Sequence, residues 1–144
     1  GVWSIKDVLA HMTWWEQNCV SEIVHGVEID PGLEGEPWVT DRANALMVAA
    51  KRNVPLADVL ADFRASFDAV EQMLQDLADD RLADDRRYEF IADNTGRHYA
   101  EHRRDIEAGL GGADEISPIE SLLLVIETWM YAAIDRHKHL ITAA

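Results

Sequence analysis

Residues 55–80, PLADVLADFRASFDAVEQMLQDLADD, carry the pattern that decides the fold class. Apolar side chains recur there at every third or fourth position, which places them along one stripe of an α-helix. The stripe comprises Leu56, Val59, Leu60, Phe63, Phe67, Val70, Leu74 and Leu77. Pro55 suits the first turn of this helix because its φ angle is already helical and its missing N–H is not needed there. The segment predicts a long amphipathic helix that buries one face.

The N-terminal segment predicts a second long helix, followed by a loop. Ser4 and Asp7 are three positions apart, close to a capping box, and apolar residues follow at helical spacing. We expect this helix from about Ser4 to Val24. Residues 25–39 contain three glycines, two prolines and no sustained period. They predict a long loop, and loops of this length are often functional, for example as lids over a pocket.

Two more segments predict helices, one before and one after residues 55–80 in the sequence. Thr40 or Asp41 can cap a short helix that ends near Asn53. After a polar link at residues 81–87, a longer helix is expected over residues 88–110, because Gly111 and Gly112 provide a stop signal.

The last helix is expected over residues 117–141. The tetrapeptide SPIE at 117–120 combines an N-cap serine, a proline at the first helical position and a capping-box glutamate. No segment alternates with period two, so the predicted class is all-α. We predict a four-helix bundle with a long loop and a short extra helix, forming one domain over residues 1–144.

Composition excludes several classes of function. Lys and Arg total 13 against 27 Asp and Glu, and the formal charge of -14 disfavours binding to nucleic acids. Cys19 is the only cysteine, which excludes an intramolecular disulfide and fits a reducing compartment. No apolar run approaches the roughly 20 residues of a membrane-spanning helix. The start GVWSIKD has no basic segment followed by an apolar core, so we expect no targeting signal there. A cytoplasmic protein is expected.

Histidines are the first candidates for chemistry. In NTGRHYAEH, residues 94–102, His98 and His102 are four positions apart and leave the same face of a helix. They are either metal ligands or polar residues with a surface or packing role. His11 lies on the face of the first helix that a bundle would bury, as a third ligand or as a packed core residue. Three converging imidazoles would leave coordination positions open for water or substrate.

Other residues could line a pocket beside these histidines. Asn94 lies one helical turn before His98 and could hydrogen-bond a substrate or a metal-bound water. Trp14 and Trp15 are adjacent, so only one of them is expected to face the bundle centre, and core packing is the simpler interpretation for Trp15. Trp38, in the long loop, is the tryptophan that we expect to contact a ligand. Acids near the histidines in sequence are Asp7, Glu16, Asp93 and Glu101.

Three segments together resemble the DinB-like superfamily, and within it the ClbS/DfsB branch. Residues 2–16, VWSIKDVLAHMTWWE, are similar to that branch's Trp-Ser-x-Lys-Asp-x-Leu-x-His segment. Residues 55–74 and 90–106 resemble its third and closing helices, so the likeness covers about residues 2–110. The resemblance implies a divalent metal bound by one histidine of the family's second helix and two of its fourth. The matching positions here are His11, His98 and His102.

The order of helices departs from the family pattern. Family members usually have a helix ahead of the Trp-Ser-x-Lys-Asp segment, whereas this sequence has a long amphipathic helix after residues 111–115. The simplest hypothesis is a circular permutation, in which residues 117–141 take the place of the first helix. The alternative is that this helix packs on a second copy, so the protein is a monomer in one case and a homodimer in the other.

The resemblance implies activities without choosing among them. The superfamily includes thiol-dependent transferases and isomerases, a self-resistance protein that hydrolyses a genotoxic natural product, and many members with no known reaction. A metal-dependent hydrolase or thiol transferase acting on an electrophilic small molecule or toxin is our first hypothesis, with zinc, nickel or ferrous iron as the metal. The second is a protein that binds a hydrophobic small molecule without turnover. The third is a purely structural or oligomerising bundle.

Overall fold

The computed structural model describes residues 3–77 and 85–110, with side chains for 3–77 and 86–103. These residues form α1 (Ile5–His25), α2 (Thr40–Lys51), α3 (Leu56–Asp76), α4 (Asp85–Asn94) and α5 (Gly96–Leu110). The described ranges contain no β-strand, which confirms the all-α class. The helix predicted over residues 117–141 lies outside them.

The chain divides into two compact units. The first is Gly1–Asp76, with α1, α2 and α3, and the second begins at Leu77 and contains α4 and α5. None of the described helices combines the length and the apolar content that crossing a membrane requires. The prediction of one domain over residues 1–144 stays a prediction.

The start and end of α1 follow from local sequence. The Ser4 hydroxyl accepts a hydrogen bond from the Asp7 backbone N–H (3.3 Å), and the Asp7 carboxylate accepts one from the Ser4 backbone N–H (2.9 Å). This reciprocal pair is the predicted capping box, and it satisfies two backbone donors that a helix start leaves open. Gly26 ends the helix with φ of 69°, a left-handed conformation that glycine adopts without steric cost.

Packing of α1 against α3 and α2 builds the core of the first unit. In α3 the buried positions include Val59, Phe63, Phe67 and Val70, as the apolar stripe predicted. Burying each such side chain contributes about 1.5–3 kcal/mol to the free energy of folding. Leu56, the first residue of the predicted stripe, is 37% exposed because it lies at the end of the helix. The buried face also includes Ser66 and Met73, which the prediction omitted.

The starts of α2 and α3 differ from the predictions. Neither Thr40 nor Asp41 caps α2: the N-cap is Val39, and it has no side-chain hydrogen bond. The Thr40 hydroxyl instead accepts a hydrogen bond from the indole N–H of Trp38 (3.4 Å). Pro55 lies immediately before α3, not in its first turn, and its carbonyl accepts hydrogen bonds from the backbone N–H groups of residues 58 and 59.

The helix predicted over residues 88–110 is interrupted, and it begins earlier, at Asp85 in the predicted polar link. The break is at Thr95, between α4 and α5. The Thr95 hydroxyl donates to the carbonyl of Ile91 (2.6 Å), and the Asn94 side chain donates to the carbonyl of Phe90 (2.7 Å). These side chains compete with backbone N–H groups for helix carbonyls, and Gly96 follows them. Three consecutive residues of low helix propensity, Asn94, Thr95 and Gly96, therefore end one helix and begin the next.

Lys6 ties the start of α1 to the end of α2. Its ammonium group donates hydrogen bonds to the backbone carbonyls of Arg52 (2.7 Å) and Val54 (3.2 Å). Carbonyls at a helix C-terminus lack intrahelical partners and carry partial negative charge, so a cation there is stabilising.

We expect Lys6→Met to lower the free energy of unfolding by about 1–2 kcal/mol, because it leaves both carbonyls without this charged donor. The control is Lys51→Met, which removes an ion pair between half-exposed side chains, Lys51 and Asp62, and should cost at most about 1 kcal/mol. Urea unfolding followed by circular dichroism measures both. An equal loss in the two variants would contradict a capping role for Lys6.

Candidate functional site

His98 and His102 lie close together in the first two turns of α5. Their Nε2 atoms are 3.0 Å apart, and their ring centroids are 4.6 Å apart. Two nitrogens that bind one ion at about 2.0–2.1 Å are ~2.9–3.4 Å apart for angles between right-angled and tetrahedral. The pair therefore has the separation of two adjacent metal ligands, and it can also share one proton in an N–H···N hydrogen bond.

The surroundings keep the His98 imidazole neutral. Desolvation by burial and, to a smaller extent, the neighbouring His102 lower the pKa of His98 to about 4. His102 is 8% exposed. A neutral imidazole has a lone pair to offer, so at neutral pH His98 does not need to lose a proton before binding a metal.

His11 lies in the first unit, on α1, and is 3% exposed. Two indole rings contact its imidazole: Trp3, with ring centroids 4.9 Å apart, and Trp15, at 6.2 Å. The sequence placed this histidine on the buried face of its helix, and its burial confirms that placement.

The remaining candidate polar residues have structural roles. The Asn94 side chain donates to the carbonyl of Phe90, which ties it to the end of α4, and it is 7% exposed. Asp7 belongs to the α1 capping box. Asp93 forms an ion pair with Arg97 on the surface (2.7 Å), and Glu101 is exposed. None of these interactions indicates a role in catalysis.

Glu16 differs from the other acids because it is fully buried. The hydroxyl of Ser66, on α3, donates a hydrogen bond to its carboxylate. The Ser66 hydroxyl also lies 2.9 Å from the carbonyl of Phe63, in its own helix. Glu16 was among the acids that lie near the histidines in sequence. Its hydrogen bond with Ser66 could not be predicted, because the two residues are 50 positions apart.

Three tryptophans form a contiguous aromatic surface in the first unit. The rings of Trp14 and Trp15 are 5.0 Å apart and almost perpendicular, and Trp38 lies 6.2 Å from the first and 6.1 Å from the second. We call Trp14, Trp15 and Trp38 the tryptophan face. Trp14 and Trp15 are both half-buried, and Trp38 folds back from the loop and contacts both.

The loop between α1 and α2 is attached to α1 by side chains. Asn18, 1% exposed, accepts a hydrogen bond from the backbone N–H of Ile29 (2.7 Å), and the Ser21 hydroxyl donates to the carbonyl of Val27 (2.7 Å). The Asp30 carboxylate accepts from the backbone N–H groups of Leu33 and Gly32, and these bonds lower the pKa of Asp30. The predicted irregular loop is confirmed, and it has a defined path.

A tight turn at residues 33–36 carries the loop toward Trp38. The backbone N–H of Glu36 donates to the carbonyl of Leu33 (3.0 Å), and the two residues between them have positive φ, 51° at Glu34 and 82° at Gly35. Glycine tolerates this conformation, whereas glutamate has a Cβ that makes it unfavourable. Leu33 is 6% exposed and anchors the turn in the core.

Cys19 is a core residue. It is 0% exposed, and burial, together with the carboxylates of Glu22 and Glu16, raises the pKa of its thiol to about 12. A thiol that stays protonated is a poor nucleophile and a poor metal ligand. Any thiol used in a reaction of this protein would therefore have to come from a second substrate.

Comparison with protein families gives a match over most of the chain. A sequence profile described as the DinB superfamily matches residues 1–105, a span that includes all three candidate ligand histidines. Searches of curated proteins and of solved structures find no match.

We expect the Cys19 thiol in the native protein to react with Ellman's reagent at least about 100-fold more slowly than in denaturant, because it is buried and protonated. The absorbance of the released thiolate at mildly alkaline pH measures the rate. The same protein in guanidinium chloride is the control, and reaction at the denatured rate without denaturant would contradict the described burial.

Glu34→Asn should raise the free energy of unfolding by about 0.5–1 kcal/mol, because asparagine tolerates positive φ better than glutamate. Glu28→Asn is the matched control: it removes the same charge from the same loop at a position without positive φ. Urea unfolding measures both variants, and equal changes would mean that charge, not backbone conformation, causes the effect.

Proposed function

Because the chain belongs to the DinB superfamily, we propose that it binds a divalent metal through His11, His98 and His102. Each of these residues offers one imidazole nitrogen as a ligand atom. The observation that carries the proposal is the 3.0 Å separation of the His98 and His102 Nε2 atoms, which suits two ligands of one ion. The proposal adds His11 of the first unit as the third ligand.

The donor set fits a reactive rather than a structural metal. Three imidazoles suit zinc, nickel or ferrous iron, and they leave at least one coordination position for water or substrate. The chemistry that a divalent ion supplies in such a site is Lewis-acid activation of a nucleophile or an electrophile.

We infer that the reaction is hydrolysis or thiol transfer on an electrophilic small molecule. The likeness of residues 2–16 to the ClbS/DfsB branch supports this substrate class. Within the protein, His98 contributes a neutral imidazole at neutral pH, while Trp3 and Trp15 hold the His11 ring from two directions. Since the Cys19 thiol is buried and protonated, the nucleophile would be water or an external thiol.

One observation favours a second function, binding of a small molecule without turnover. Trp38 is 40% exposed, and several hydrogen bonds fix the loop that carries it. An exposed indole held in this way can bind a small molecule without a metal. In this function His98 and His102 would be hydrogen-bonding residues of the site. Residues 117–141 would pack on the rest of the chain in a monomer, or on a second copy in a homodimer. Both proposed functions are compatible with either arrangement.

Metal content distinguishes the two functions. We expect about one zinc, nickel or iron ion per chain in protein purified without chelator or affinity nickel. The affinity should fall at least about 100-fold in His98→Ala and in His11→Ala, because each removes a ligand. His25→Ala, an exposed histidine at the end of α1, should bind as the original sequence does. Elemental analysis and competition with a chromogenic chelator provide the measurement.

The two histidine variants test different parts of the proposal. Undiminished metal affinity in His11→Ala would remove that residue from the ligand set, and undiminished affinity in His98→Ala would overturn the metal site. Absence of metal after incubation with each of the three ions would favour the non-catalytic binding protein.

A further inference from the structure

The tryptophan face presents aromatic surface to solvent beside a candidate ligand histidine. Trp15 lies 6.2 Å from the His11 ring and 6.1 Å from the Trp38 ring, so aromatic contacts run from the buried histidine to the loop. Trp38 is 40% exposed, although it is a large apolar side chain. An exposed indole that packs on two others offers a ready surface for stacking.

Two of the three indole N–H groups at this surface, those of Trp15 and Trp38, already have partners within the protein. The Trp15 N–H donates to the Asn44 side chain (3.3 Å), and the Trp38 N–H donates to the Thr40 hydroxyl (3.4 Å). What these two rings can offer a ligand is therefore π surface rather than hydrogen bonds. A site of this kind selects planar, polarisable groups and has little preference for hydrogen-bonding substituents.

The fold fixes Trp38 in position before any ligand binds. Asn18 holds Ile29, the Asp30 carboxylate caps the following turn, and buried Leu33 anchors the segment that leads to Trp38. An ion pair between Glu36 and Arg42 (2.6 Å) also links the residues before and after Trp38 in the sequence. A preorganised aromatic ring loses little conformational entropy on binding, which favours affinity.

Charge narrows the class of ligand. Residues 26–42 contain five acidic side chains, all exposed, and one basic one, Arg42, which is engaged by Glu36. The whole chain has a formal charge of -14. This field repels anions and attracts cations, and the face of an indole binds cations favourably.

We propose that the tryptophan face binds a planar, conjugated small molecule, uncharged or cationic, stacked against Trp38. The inference deepens the proposed function, and rests on it only in taking this ligand as the small molecule of that proposal. Stacking itself requires no metal. The inference therefore holds for a metal-dependent enzyme and for a non-catalytic binding protein alike.

Calorimetric titration of the full chain, freed of metal with a chelator, tests the proposal with four probes. N-methylquinolinium is planar and cationic, quinoline is planar and neutral, 2-naphthoate is planar and anionic, and cyclohexyltrimethylammonium is cationic but saturated. We expect both quinoline probes to bind, and naphthoate and the saturated cation to bind at least about tenfold more weakly.

Variants assign the binding to Trp38. Trp38→Leu keeps an apolar side chain but removes the π surface, and should weaken N-methylquinolinium binding about tenfold or more. Trp38→Phe keeps a ring and should stay within about threefold. Val27→Ala is the matched control, an exposed apolar residue of the same loop, and should bind as the original sequence does. Circular dichroism shows that each variant is folded.

Two results would overturn the proposal: unchanged affinity in Trp38→Leu, or binding of the saturated cation as tight as that of the planar one. Trp38→Leu also separates this proposal from the metal site, because it should weaken N-methylquinolinium binding and leave the metal affinity unchanged. Metal binding with no binding of either quinoline probe refutes the stacking site and leaves the metal proposal intact.

Discussion

Burial of α1 against α2 and α3 is the constraint on which the first unit depends. The same helix carries His11, Trp14 and Trp15, and it anchors the loop through Asn18. Packing against α3, in which Val59, Phe63 and Phe67 are buried, fixes the rotation of α1 about its axis, because a turned helix would expose Leu9 and Met12, which are almost fully buried. Once this rotation is set, the direction of each candidate side chain on α1 follows from helix geometry.

Buried polar groups make that rotation specific. Glu16 and Asn18 are almost inaccessible to solvent, and both have hydrogen-bond partners, Ser66 on α3 for the first and Ile29 in the loop for the second. An apolar interface tolerates small slips, whereas a slip that separates a buried polar group from its partner costs about 1–3 kcal/mol. These two residues therefore couple the helix packing to the loop that presents Trp38.

Several residues that carry the family resemblance have structural roles. In the Trp-Ser-x-Lys-Asp-x-Leu-x-His segment, Ser4 and Asp7 cap the helix and Lys6 binds carbonyls after α2. Trp3 packs on His11, the one member of the segment that is a candidate ligand. The segment places that histidine by fixing where α1 begins. Its likeness to the family is therefore evidence for the fold as well as for the site.

The sequence by itself determined the features that depend on neighbours within about one helical turn. These are the all-α class, the capping box at Ser4, the buried stripe of α3 and the pairing of His98 with His102, since i, i+4 spacing is a property of the helix. The break at Thr95 is local as well, and its signal was three consecutive residues of low helix propensity, Asn94, Thr95 and Gly96.

Tertiary structure alone decided the contacts between distant positions. Lys6 reaches carbonyls 46 and 48 residues away, Glu16 meets Ser66 across 50 positions, and Trp38 returns to both tryptophans of α1. Periodicity indicates which face of a helix is buried, but it contains no information on which residue of another element that face meets. That choice is made by packing volume and by the need to pair buried polar groups, which act only once the helices are together.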